Sequence, residues 1–251
     1  MYGIIMTALI FDTETHKLHG DIIEAAAVGV SFHGQILLPT GYEFKKRFKP
    51  SEPISLGAMA VHHIIDEDLV KCPPFTKFKM PKDHRDGDLE YLIGHNIDYD
   101  VAAVNRAGTT TSGVKTICTL AMARFLWPKL ESHNLTALAY HLSSDRKDQR
   151  RRLRKAHSAL NDCWTTLVLL IAITREKNIN SFEELYEFSE QARYPTHIFY
   201  GKYRGWAIKD MEDEDIDWLL GKTDDHYLRI SLENELLARS SIDEQNLLPF
   251  D

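Results

Sequence analysis

Cysteine is scarce in this sequence. The three present, Cys72, Cys118 and Cys163, stand in no paired or metal-ligand spacing. That excludes a disulfide-stapled scaffold and a zinc ribbon, and predicts buried free thiols in a reducing compartment. No apolar run is long enough to span a membrane, and no basic segment followed by an apolar core opens the chain. A soluble, cytoplasmic protein with no membrane partner is the expectation. There is no internal repeat and no low-complexity tract. Positive charge is not in excess either. The formal net charge of −7 argues against wholesale coating of nucleic acid, although it leaves room for a local basic patch.

What is present is an ordinary globular composition, 43% hydrophobic and 27% charged over 251 residues, enough for one large domain with a small appendage. Residues 1–5, ahead of Met6, read as a dispensable extension. The first apolar run, Ala8-Leu9-Ile10-Phe11, predicts a buried strand. Ile22–Phe32 follows as a second strand after a turn containing Gly20, and Gln35–Phe48 as a third, bent near Pro39-Thr40-Gly41. Helical character at Ser55–Ile64 precedes an irregular stretch. Short strands are expected at Leu89–Gly94 and Val114–Thr119, and helices at Val101–Arg106, Leu120–Leu126 and Asn134–Leu142. Ser143–Lys155 reads as a charged loop or frayed helix end. Ala159–Thr174 is the strongest helix signal and is apolar nearly all round, hence buried. Strands first, then strands alternating with helices, predict an α/β fold: a mixed sheet flanked by helices. The polar turn Lys177–Ser181 suggests a boundary, giving a domain over 1–178 and an α+β appendage over 179–251.

The chemistry gathers at element ends. Asp12 and Glu14 close the first strand with one residue between them, so in an extended chain they project to the same face. Side-by-side carboxylates repel and are costly to desolvate, and a hard divalent cation with oxygen ligands relieves both. Alone, such a pair more often marks the start of a solvated loop. A second acidic group, His95-Asn96-Ile97-Asp98-Tyr99-Asp100, follows a short strand and opens a helix. Either one of Asp98 and Asp100 caps that helix and the other is a ligand, or, as is commoner for such a motif alone, both are first-turn carboxylates favoured by the helix dipole. A third lies at His157 and Asp162. At 100° per residue, the two are about 140° apart if both are helical. His157 is therefore placed on the preceding loop, where a near-neutral pKa suits a general base, and Asp162 on the helix.

In this order, the three groups resemble the motifs of the DnaQ-like, or DEDDh, family of 3′-to-5′ exonucleases, over roughly residues 7–177. Ala58-Met59-Ala60-Val61-His62, and Ile117-Cys118-Thr119 through Leu126-Trp127-Pro128, are similar to the exonuclease X branch of that family. The resemblance implies a ribonuclease H-like fold. It implies metal ligands Asp12, Glu14, Asp100 and Asp162 for two divalent ions, Mg²⁺ or Mn²⁺, with His157 as the base that deprotonates water. It selects Asp100 over Asp98, because the family's second-motif ligand follows an aromatic residue. The implied reaction releases nucleoside 5′-monophosphates from the 3′ end of DNA, single-stranded or frayed, in repair or turnover, with RNA as another substrate. A polymerase-associated proofreading exonuclease, an exoribonuclease and a catalytically silent nucleic-acid-binding module are the rivals.

For nucleic-acid contacts, the resemblance points to the backbone of Thr13, to Asn96 within the second motif, and to Met59, His62 and Leu18 as a wedge beside the terminal base. The basic run before His157, which includes Arg150, Arg151, Arg152 and Arg154, reads as a phosphate-tracking element. In the tail, Lys202-Tyr203-Arg204 combines cation and aromatic. It suits either base stacking with a phosphate contact or a small structural cation–π unit. This tail resembles the C-terminal segment of exonuclease X.

Overall fold

The structure, a computed structural model, describes residues 7–82, 88–153 and 158–246. The strands are β1 (Thr7–Thr15), β2 (Ile22–His33), β3 (Ile36–Arg47), β4 (Leu89–Gly94) and β5 (Lys115–Cys118). They form one mixed sheet of order β3-β2-β1-β4-β5. The first three make the expected antiparallel meander, and β4 and β5 add in parallel on the other side of β1. β1, β2 and β4 are buried almost throughout, which is why they read as continuous apolar runs rather than alternating ones. The predicted bend of the third strand is a register shift. Val28 pairs with Glu43 but Val30 with Pro39, so residues 40–42 are extruded, with Gly41 at φ 84°.

The helices are α1 (Leu56–His62), α2 (Ile97–Arg106), α3 (Thr119–Leu126), α4 (Leu135–Leu142), α5 (Arg146–Arg152), α6 (Ala159–Lys177), α7 (Phe182–Ala192), α8 (Asp213–Leu220) and α9 (His226–Asn246). α6 lies on β2 and β1, close enough for the Cys163 thiol to donate to the Ala26 carbonyl at 3.5 Å. The alanines at 25–27 leave room for that approach. α2 packs on β1, β4 and β5. Its entry depends on Gly94, where a Cβ would fall 2.7 Å from Ile97 Cδ1 and 3.0 Å from the Phe11 carbonyl.

The chain divides into two compact units, Met1–Leu120 with Asn134–Ser189, and Ala121–His133 with Glu190–Asp251. The boundary expected at 178/179 thus lies inside the first unit. The second has its own core, which includes Ile198, Ile208, Ile216, Leu219 and Leu228. Its regular structure among the described residues is helical. The strand content expected of the appendage is the isolated bridge between His197 and Ala207.

Candidate active site

β1 delivers Asp12 and Glu14 to one face of the sheet, opposite Ala26 and Glu24 of β2. The residue between them turns the other way and does separate work. The Thr13 N–H and hydroxyl both donate to Asp100 Oδ1, at 2.8 and 2.7 Å. Thr13 is therefore tied to the second acidic group, with its N–H and hydroxyl committed there. Burial distinguishes Asp98 from Asp100. Asp98 is exposed on the first turn of α2, whereas Asp100 is 3% exposed and bound to β1. α2 starts four residues earlier than the sequence suggested, because Asn96 takes a left-handed conformation (φ 70°) and lets the chain turn directly from β4 into the helix.

Asp162 comes from the first turn of α6. Carboxylate oxygens of Asp12, Glu14 and Asp162 lie within 4.8 Å of one another. The N-terminus of α6 is held by Glu24 of β2, a residue outside the three acidic groups read from the sequence. Glu24 is fully buried, and its Oε1 accepts from the Ala159 N–H at 3.2 Å and the Ser158 hydroxyl at 3.3 Å. Arg47 Nε and Lys45 Nζ pair with it at 2.9 and 3.2 Å. Ser158 makes no side-chain cap of its own, so a strand carboxylate takes over the capping of this helix. Its signal was available: a lone acid inside the apolar run Ile22–Val30 needs partners.

The site is electrostatically loaded. Burial first, then the charges of Asp100, Glu14, Asp162 and Glu24, hold Asp12 well above the usual carboxylate range. Burial, then Asp162, Glu24 and Asp100, push Glu14 up to about 8, against a small opposing pull from Lys45. Burial raises Asp100 to about 7 even though the hydrogen bonds from Thr13 favour its charged form. At an effective dielectric of roughly 20, each ionised pair at this spacing repels by about 3–4 kcal/mol. Such a set is stable only when protonated or neutralised by a cation. Hard, acceptor-only oxygens converging at this spacing fit a divalent ion.

The profile of the exonuclease family matches residues 9–170. The chain belongs to the exonuclease family. That family uses divalent metals, in keeping with the carboxylate cluster. The chain is 32% identical to exodeoxyribonuclease 10 of Escherichia coli (strain K12) over 232 residues, 90% of this chain and 97% of that protein. It is also 28% identical over 184 residues to a PolC-type DNA polymerase III of Bacillus cereus, covering 70% of this chain but 12% of the polymerase. Among solved structures, exonuclease X in complex with 5′ overhanging duplex DNA aligns with a TM-score of 0.53 and 27% identity, over 72% of this chain and 99% of that one. E. coli exonuclease I in a complex with single-stranded DNA shares the fold at 16% identity and a TM-score of 0.54, over 73% of this chain and 43% of that one. The ribonuclease H-like architecture expected from sequence is thus the fold observed.

Within this exonuclease fold, the remaining predicted residues fare unevenly. His157 and Arg154 lie outside the described residues. Met59 is half-buried on α1, against the cluster of Ile23, Ile54, Ile64 and Leu69. His62 is buried, and its Nδ1 accepts from the Ile64 N–H at 3.0 Å. Burial lowers its pKa, against an opposing pull from the Thr15 backbone. Leu18 and Asn96 are exposed. The basic run forms α5, capped by Asp145, which accepts from the N–H groups of Lys147 and Asp148. Arg151 and Arg152 both turn back to Asp148, at 3.0 and 2.7 Å, while Arg150 is exposed. In the second unit, Lys202 Nζ lies 4.3 Å from the Tyr203 ring centroid and 5.0 Å from that of Trp218, and Arg204 donates to the Glu131 carbonyl at 2.8 Å. Both cations are engaged within that unit. Among the described residues, no helix is long and apolar enough to cross a membrane.

Proposed function

We propose that the chain is a metal-dependent 3′-to-5′ exodeoxyribonuclease that releases nucleoside 5′-monophosphates, acting in repair or nucleic-acid turnover. The observation that carries this reading is the convergence of Asp12, Glu14 and Asp162 within 4.8 Å, with Asp100 tethered beside them through Thr13. These four would hold two divalent ions, Mg²⁺ or Mn²⁺. When bound, such ions neutralise charge at phosphorus and lower the pKa of the attacking water.

The chain's own groups supply the rest. Thr13 fixes the orientation of Asp100. Glu24 fixes the start of α6, and with it Asp162. His157, just ahead of that helix, takes the proton from the attacking water at its imidazole nitrogen. DNA as substrate, at single-stranded or frayed 3′ ends, is supported by likeness to exodeoxyribonuclease 10 over 97% of its length. Likeness to exonuclease X, solved in complex with 5′ overhanging duplex DNA, supports it too. The match to PolC-type polymerases over 12% of their length speaks for the shared domain rather than for a polymerase.

The test is digestion of matched DNA and RNA oligonucleotides carrying a label at either end, with Mg²⁺ or with chelator. The expected result is immediate release of the 3′ label as a mononucleotide from DNA, gradual shortening of 5′-labelled strands, and no cleavage under chelation. Preference for RNA, or first release of the 5′ label, would overturn the substrate or the direction respectively. His157→Ala should slow release by about 10²–10⁴-fold.

A further inference from the structure

β3 is an edge strand, and its two faces differ. Glu43, Lys45 and Arg47 turn towards α6. Trp164 Nε1 donates to Glu43 at 3.0 Å, Lys45 donates to Ser158 at 2.9 Å, and Arg47 pairs with Glu24. Phe44 and Lys46 therefore project to the opposite face, away from Asp12 and Glu14, and Tyr42 of the bulge lines the same groove. There, between β3 and the segment Lys77–Lys82, runs a groove of about 660 Å³. Four of its lining residues are lysines, Lys46, Lys77, Lys79 and Lys82, and among the described residues none of the lining is a carboxylate.

These cations are little used internally: Lys46 Nζ lies 5.6 Å from the Phe48 ring centroid on the same wall. Among the described residues, Lys46, Lys77 and Lys79 form no ion pair, and the partner of Lys82 is the fully exposed Asp88 at 3.9 Å. Lysines on an edge strand guard against edge-to-edge pairing, which accounts for Lys46 but not for three lysines outside the sheet. In a chain of net charge −7, four lysines around one groove, three of them in no ion pair among the described residues, mark a place for an anion. The half-buried rings of Tyr42 and Phe44 on its wall narrow the class. An acidic peptide answers the charge alone, whereas a single-stranded nucleic acid also offers base faces to stack. Because β3 carries Lys45 and Arg47 on the catalytic face and Lys46 on the other, its edge is basic on both sides. β3 lies two strand spacings, about 10 Å, from β1.

We propose that this groove is a second binding site for single-stranded nucleic acid, holding phosphates on the four lysines and bases against Tyr42 and Phe44, distinct from the hydrolytic centre. The full chain is titrated under chelation with a fluorescent single strand of about 20 nucleotides, between about 50 and 200 mM salt. Lys46→Glu/Lys77→Glu/Lys79→Glu is expected to weaken binding at least about tenfold and to flatten the salt slope by about 2. Metal-dependent hydrolysis of a trinucleotide, too short to reach the groove, should stay within about twofold of wild type. The Gln triple variant, which removes charge without reversing it, should show the same slope change at an unchanged melting temperature. A strand carrying 5-iododeoxyuridine should crosslink to Tyr42 or Phe44. Unchanged affinity and slope, or equal loss of trinucleotide hydrolysis, would overturn the proposal. Displacement of an acidic peptide rather than DNA by the triple substitution would assign the groove to a protein partner instead.

Discussion

With divalent ions chelated away, the crowding at Asp12, Glu14 and Asp100 is relieved only by protons. Their folded-state pKa values stand above the unfolded ones, Glu14 near 8 and Asp100 near 7. The folded protein therefore binds more protons than the unfolded chain through this range. The associated stability is complete below the ordinary carboxylate range and is lost as pH rises through about 7–8. The melting temperature of the chelated protein should fall from pH 5 to pH 8, and Glu14→Gln should fall less steeply. A melting temperature that rises over this range equally in both proteins would contradict the assignment. Glu24 acts through its neighbours. Glu24→Gln keeps the shape but loses the charge that holds Arg47, Lys45 and the start of α6. A decrease in kcat of about 10–10²-fold at nearly constant KM is expected, and an unchanged kcat would remove Glu24 from the positioning of Asp162. The apolar run around Glu24 shows that it is buried but not what it meets, so only half of its role was legible in the sequence. The same limit held for Asp98 and Asp100, which burial separated.

At the scale of elements, β1 and β2 were legible because apolar runs bounded by turn residues leave few alternatives. α6 was legible from its long apolar run, although its burial is one-sided: Val168 faces solvent. α5 was not, because Arg-Lys-Asp-Gln-Arg-Arg-Arg has no apolar period. It forms because Asp145 caps it and Asp148 pairs one turn ahead with Arg151 and Arg152. The first turn of α2 was missed for a related reason, since Asn96 makes no side-chain cap and acts through its left-handed backbone. Gly94 is where this element is most vulnerable. Gly94→Ala places a methyl 2.7 Å from Ile97 Cδ1 and 3.0 Å from the Phe11 carbonyl. It should cost about 1–3 kcal/mol, read by denaturant unfolding, and should lower activity further by moving Asp100. Wild-type stability and rate in this variant would show that α2 seats Asp100 in some other way.

At the scale of the molecule, the order of the sheet was beyond local reading. Parallel insertion of β4 beside β1 joins residues some 80 positions apart, and no pattern within either segment specifies it. Nor did composition reveal that 121–133 belongs with the chain from 190 onwards. The cation–aromatic group at Lys202 was legible as a unit but not as to its purpose. Its placement over Tyr203 and Trp218 predicts that Lys202→Ala costs roughly 0.5–2 kcal/mol of stability and leaves DNA affinity within about twofold. A selective loss of DNA affinity would make it a binding residue after all. The central claim concerns the carboxylate centre, and the release of a 3′-terminal label from single-stranded DNA by Asp12→Asn tests it most directly. This variant removes one charge from the cluster while keeping its shape. Release is predicted to drop by about 10³-fold or more and to lose its dependence on Mg²⁺; release at the wild-type rate with undiminished Mg²⁺ dependence would contradict it.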